Sequence, residues 1–401
     1  MLIALFLIVL IIAGNMINQT FLQYCATNPV SLGVMFVGYL GITGLMVAIF
    51  LILRKLFVSQ KDEYKHHIDI EKIDDNFKTV YNRLKVENIS ELEALRKKVM
   101  IQEFGVYFGI FLAMSVFFSA GVVLKNVTNE TVVTFSGCCQ AMPFVGVFIA
   151  ILFASWGSQY GVQYKKIYKE NILPSFIKLI DPNLEYYYQK YQKYKPYKIY
   201  NEKTQIEQEY IDADFDGVKF DYIEEEDWVE GQLDENNFFK ITDIKVKEEY
   251  TDSDGDRRTK NIFKGLFLSI QTNKNIGTCL KININKNNCI AGSEAYQVLM
   301  DSSEFEEVFD VYCDDKILAM QILTTDIMEL IMDFYKKYFI SFEICYRNNR
   351  IYTRFFIEDM FEPGVITSSM DIKSLYMYYL IVEFAIEFSE KINKLTDNLE
   401  I

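Results

Sequence analysis

Side chains able to do covalent or acid–base chemistry are few in this chain. Its 401 residues hold two histidines, adjacent at His66 and His67, and none follows them. A nucleophile–histidine dyad is therefore excluded from residues 68–401 by inventory alone. Adjacent positions on a helix point about 100° apart, so His66 and His67 do not suit one shared metal and read as solvated side chains. There is no phosphate-cradling P-loop, no zinc-type cysteine pair and no H-E-x-x-H. Gly38, Gly41 and Gly44 lie inside an uncharged apolar run rather than after a strand, so they do not form a dinucleotide loop. Carboxylate pairs are too numerous to single out an acid and a base. No catalytic or cofactor-binding residue is nominated, and no cofactor is expected.

Two constellations remain. Asp212, Asp214 and Asp216, followed by Gly217, fit the start of a calcium loop, whose alternating carboxylates wrap one ion. The loop then fails twice: Ile223 stands where a bidentate glutamate is needed, and Lys219 replaces an apolar residue. An acidic surface loop is the simpler reading. The seven cysteines divide into Cys25, Cys138 and Cys139 near apolar runs, and Cys279, Cys289, Cys313 and Cys345 in the C-terminal half. A bridge from Cys25 to Cys138 or Cys139 would staple two outer loops, and the other four read as reduced, small apolar residues.

The elements that would position these residues follow from charge and hydropathy. Residues 31–53 and 104–124 carry no charge, and a third run covers about 139–157. With the apolar residues 1–14 extended towards Leu22, these read as about four transmembrane helices. A cleaved signal is the alternative for residues 1–22, although a basic start is missing. Arg54, Lys55 and Lys61, then Arg96 to Lys98, then Lys165, Lys166 and Lys169 fall on one side of an in-out-in-out-in path. That path makes a multi-pass cell-membrane protein with both termini and residues 160–401 cytoplasmic. No charge lies inside any of these runs, which argues against an ion pathway. Gly105, Gly109 and Ala113, and Gly146, Ala150 and Ala154, repeat at four-residue spacing and would let two helix backbones approach. Those stripes serve either a hairpin within one chain or the face of a homo-oligomer.

The domain plan is a hairpin at 1–57, a polar helical connector at 58–102 with Ser90 and Glu93 as a capping box, and a second hairpin at 103–159. A helical, basic, tyrosine-rich segment follows at 160–203, and an acidic α+β domain at 204–401. The basic segment could meet anionic lipid through its lysines, or bury its tyrosines in the domain. Residues 204–234, with Lys219 as their single basic residue, read as a solvated acidic loop. The formal net charge of −14 makes nucleic acid an unsuitable partner. Strand-like runs occur at 241–250, 262–272, 278–285, 308–312, 340–347 and 350–357, the last two joined at Asn348 and Asn349. Helical periodicity marks 325–338 and 371–395.

Several short motifs in order resemble one known group. They are Leu92-Glu-Ala-Leu-Arg96, the run from Tyr164 to Tyr187 with Pro174 and Leu184-Glu185-Tyr186, and Glu226-Asp227 with Gly231. Ile262-Phe-Lys-Gly-Leu-Phe267, Glu304-Phe305, Phe309-Asp-Val-Tyr312, Leu323-Thr324 and Arg350-Ile-Tyr352 continue the series. Together, over about 88–395, they resemble the bacterial membrane-protein family catalogued as domain of unknown function 3137. The resemblance implies a membrane-anchored α+β domain and brings no activity, substrate or catalytic residue. The expectation is a scaffold or regulatory adaptor with an unidentified protein partner. An enzyme using carboxylates or an acquired metal is the alternative, and an accessory subunit of a transporter or channel a third.

Overall fold

The computed structural model describes residues 73–119, 142–188, 204–215, 219–232, 238–284, 297–338, 340–358, 360–363 and 372–397, with single positions between 17 and 51. They divide into two compact units. One comprises Met1–Glu63, Ile89–Tyr168 and Pro363–Ser369; the other comprises Tyr64–Asn88, Lys169–Glu362 and Met370–Ile401.

The first unit is built on two long helices, α1 (Asp75–Ser119), whose first turns belong to the second unit, and α2 (Met142–Ile167). Small residues let them cross closely. A Cβ added to Gly109 would lie 2.5 Å from the Gly146 carbonyl oxygen and 2.6 Å from the Ala150 nitrogen. Nothing larger than hydrogen fits there without moving backbone.

The expectation of about four transmembrane helices in a multi-pass cell-membrane protein, with residues 160–401 on the cytoplasmic side, does not hold. Among the described residues a single helical stretch, Phe144–Ile180, is long and apolar enough to cross a membrane. Residues 104–119 of the run at 104–124 belong to α1, a 45-residue helix that begins in polar sequence. An uncharged apolar run reports a need for apolar surroundings and does not itself say what supplies them. The expected spans at 1–22 and 31–53 fall largely outside the described residues. Because α1 runs unbroken through Ser90, no helix start exists there for a capping box to serve.

Among the described residues the second unit is a nine-stranded antiparallel sheet with helices on both faces. After a π-helical turn (Tyr168–Ile172) come α3 (Leu173–Ile180), β1 (Leu184–Tyr188), α4 (Gln205–Ala213), β2 (Tyr222–Gln232), β3 (Phe238–Thr251), β4 (Arg257–Gln271), β5 (Cys279–Ile284) and β6 (Gln297–Val298). Then follow α5 (Ser303–Glu306), β7 (Phe309–Cys313), α6 (Lys316–Ile322), α7 (Thr325–Tyr338), β8 (Phe342–Arg347), β9 (Arg350–Phe355) and α8 (Ile372–Asp397). The strand order is β1-β2-β3-β4-β9-β8-β5-β7-β6. Turn chemistry holds the hairpins: Gly255 takes a φ of 86° between β3 and β4, and Asn348 takes 56° between β8 and β9.

Period-two alternation sends two different sets of side chains to the two faces of β8 and β9. Phe342 and Phe355 meet Phe334 of α7 and Phe384 of α8, whose tilted rings have centroids 4.4 Å apart, and Ile344 is buried on the same face. Glu343, Cys345, Tyr352 and Arg354 lie on the other face, under α4. There the buried Glu343 carboxylate accepts from Arg354 Nε at 2.5 Å, and Arg354 also donates to the Tyr210 hydroxyl at 3.2 Å.

Two expectations for the segment joining the units are corrected here. Among the described residues of 160–203, helix ends at Ile180 and β1 follows, pairing with β2. The acidic stretch is not a loop but α4 and the eleven-residue β2. Its carboxylates face lysines of β3: Glu225 with Lys240, Glu226 with Lys245 and Glu224 with Lys247. Opposite charges across neighbouring strands let an acidic sequence pair as a strand.

Candidate functional site

The outer surfaces of α7 and α8 form a cleft of about 340 Å³. Five carboxylates line it, Asp326, Glu329 and Asp333 from α7 and Glu383 and Glu387 from α8, against Lys337 and Lys391. Its floor is apolar, from Leu330, Phe334 and Leu380. The sequence builds this arrangement by amphipathicity. Ile327, Ile331 and Phe334 on α7, and Leu380, Phe384 and Phe388 on α8, turn inward, so intervening acids project outward.

A second cleft, of about 520 Å³, adjoins the first and shares Glu383 and Glu387 with it. Glu390 completes its acidic rim, and Val80, Leu179, Ile180 and Ile386 supply apolar lining from α1, α3 and α8. Beneath it Phe77 packs against Phe176, Tyr376 and Tyr379, with centroids 4.8 to 6.3 Å apart. Glu383 stands where the clefts meet. Partial burial pushes its carboxyl pKa up; a hydrogen bond with Tyr379 opposes this, while nearby Asp74 and Glu387 push it up further. A cation delivered to this point would relieve repulsion already present.

A different polar cluster lies at the start of the second unit. Lys169 Nζ donates to Asp227 Oδ2 at 2.7 Å and reaches Glu362 Oε1 at 2.9 Å. Tyr186 donates to the other Asp227 oxygen at 2.7 Å. Burial raises the Asp227 pKa, with Lys169 opposing. Burial works against the Lys169 charge, but Asp227 and Glu362 outweigh it and its pKa is raised. All three charges face one another, so this cluster fastens β1 and β2 to the preceding helical turn. Gly231 has a related role, because a Cβ there would fall 2.4 Å from a methyl carbon of Leu184 in β1.

The residues singled out in the sequence fall as follows. Asp212 accepts from Gln208 on the exposed side of α4. Asp214 is the left-handed C-cap of α4, and its backbone carbonyl accepts from the buried Lys281 Nζ at 2.5 Å. Asp216 lies outside the described residues, and among the described residues no three His, Cys, Asp or Glu side chains gather to hold a metal. Cys25, Cys138 and Cys139 also lie outside them, as do His66 and His67. Gly109, Ala113, Gly146 and Ala150 come together at the crossing of α1 and α2, within one chain. A Cβ on Gly105 would fall on the Phe153 ring, and Ala154 sits on the same helix, α2.

Residues 261–394 match the model of a family described as "Protein of unknown function (DUF3137)". The chain carries a DUF3137 domain. That DUF3137 segment opens within β4 and closes within α8, so it includes α7, α8 and the first cleft. Motifs quoted upstream of it, from Leu92 to Gly231, lie outside the match. No curated protein and no solved structure gives a significant match.

The first cleft escaped sequence reading. Its acids are spread over 62 positions, from Asp326 to Glu387, and only the packing of α7 on α8 gathers them. An available signal was the recurrence of acids on the polar side of both helical patterns.

Proposed function

We propose that the DUF3137 segment is the core of an interaction module that docks a basic, amphipathic segment of a partner protein across the two adjoining clefts, one on α7 and α8 and the other lined by α1, α3 and α8. One observation carries this reading: Glu383 and Glu387 rim both clefts, each of which has apolar lining. Such a surface complements a helix with lysine or arginine on one side and leucine-like residues on the other. The scaffold or adaptor role expected from the sequence is the same reading at coarser grain. The carboxylates are exposed and spread along two helices rather than converging on one atom-sized point, which favours a docking surface over a reaction centre.

Titration calorimetry of the full chain with a lysine- and leucine-rich helical peptide tests the proposal. Binding should weaken steeply with salt. Reversal of both Glu383→Lys and Glu387→Lys should weaken it by roughly tenfold or more, at about 1 kcal/mol or more per charge. Reversal at Glu249, exposed on β3, should leave it unchanged. Because the Glu383 pKa is raised, acidification neutralises that carboxylate early, and binding should fall off above the ordinary glutamate range of about 4.3. Equal binding by the double reversal and the parent would refute the proposal.

A further inference from the structure

The face of the sheet under α4 brings two thiols together. Cys279 opens β5 and Cys345 lies in β8, with 3.7 Å between their sulfurs. The register pairs Cys279 with Arg347 and Lys281 with Cys345, so the two cysteines are diagonal neighbours on one face. Cys345 is fully buried, whereas Cys279 is partly exposed beside the exposed Gly277. Each has a cation opposite it. Lys281 and Arg347 also hold the C-terminal end of α4, through the carbonyls of Asp214 and Asp212. A disulfide needs about 2.05 Å between sulfurs, so closing the pair takes rotation of side chains that already touch.

We infer that Cys279 and Cys345 are a redox-active dithiol, with Cys279 the attacking sulfur and Cys345 the resolving one, and a small hydroperoxide as oxidant. The Cys279 thiolate attacks a peroxide oxygen, forming an S–O bond and breaking O–O. With hydrogen peroxide the leaving hydroxide takes up the proton that Cys279 had released and becomes water. Cys345 then attacks the sulfenic sulfur. An S–S bond forms, the S–O bond breaks, and the hydroxyl leaves with the Cys345 proton as a second water. Two thiols lose two electrons, and one peroxide gains them.

The electrostatics agree with this division. The Cys279 pKa is lowered to about 7, first by its hydrogen bond with Cys345 and further by Lys281 and Arg347, while Asp214 and burial oppose. The same contact, with burial, pushes Cys345 upward. Cys313 is an internal control. It pairs in register with Leu280, on the opposite face of β5, and burial raises its pKa. At neutral pH the greater thiolate fraction should make Cys279 at least about tenfold more reactive than Cys313.

The test uses the full chain, reduced, treated with one equivalent of hydrogen peroxide near pH 7, alkylated and digested with trypsin. Residues 275–281 and 338–347 are then separate peptides. The expected product is one disulfide linking these two, reversed by dithiothreitol, with Cys313 still alkylated. In Cys345→Ser, and equally in Cys345→Ala, the Cys279 sulfenic acid should persist and be captured by dimedone. The parent measurement needs no variant, so loss of folding in either does not affect it. Full alkylation of both cysteines after peroxide, or Cys279 oxidised onward with no link to Cys345, would overturn the inference.

Discussion

The two faces of the central sheet differ in what they bury. Towards α7 and α8, β8 and β9 present Phe342 and Phe355 to Phe334 and Phe384, with Ile344 and Ile351 buried on the same face. Towards α4 the same strands present Glu343, Cys345, Arg350 and Arg354, and β5 adds Cys279 and Lys281. The first face gains chiefly from apolar area and packed rings, and leaves the buried Thr353 hydroxyl, between Ile351 and Phe355, without a hydrogen bond. The second is charged, so its cations find partners on α4 and its C-cap, Arg354 at Tyr210, Arg350 at Glu209, Lys281 at Asp214 and Arg347 at Asp212, while Glu343 is held by Arg354. The apolar face holds two helices, α7 and α8, whose outer surfaces form the first cleft. The charged face holds one short helix in a fixed place over two thiols.

Substitutions should break this contrast in order of size. Phe384→Ala should cost about 3–5 kcal/mol in denaturant unfolding, because it empties the centre of the aromatic layer. Glu343→Ala should cost a similar amount, about 3–5 kcal/mol, by leaving Arg354 buried without its carboxylate. The sharper result is the double variant Glu343→Met, Arg354→Met, which should recover to within about 1 kcal/mol of the parent if packing rather than pairing sustains that layer. Lys281→Met should cost about 1.5–3 kcal/mol by freeing the end of α4, with the loss read locally as faster amide exchange in residues 205–213. Thr204→Ala should cost about 1 kcal/mol, since Thr204 and Glu207 form both bonds of the α4 capping box.

Much of the aromatic layer was legible in sequence. Helical periodicity at 325–338 coincides with α7, and the pattern at 371–395 nearly coincides with α8. The turn at Asn348 and Asn349 divides β8 from β9. The charged layer was not legible, because its logic is pairing at long range. Arg354 meets Tyr210 across 144 positions and Lys281 meets Asp214 across 67. In the same way, lysines of β3 turn the acidic stretch into β2, and no local count of charge could show this. The thiol pair was hidden for that reason too. Cys279 and Cys345 are 66 residues apart and read singly as small apolar residues. The apolar runs misled in the opposite sense: hydropathy alone suggested about four spans, while among the described residues one stretch meets that description.

Hydrogen–deuterium exchange of the full chain, with and without the lysine- and leucine-rich helical peptide, tests the docking reading most directly. The account predicts protection at residues 326–337 and 379–391, with no change in the hairpin at 248–260. Protection elsewhere with none on α7 and α8, at peptide concentrations that saturate binding, would contradict it.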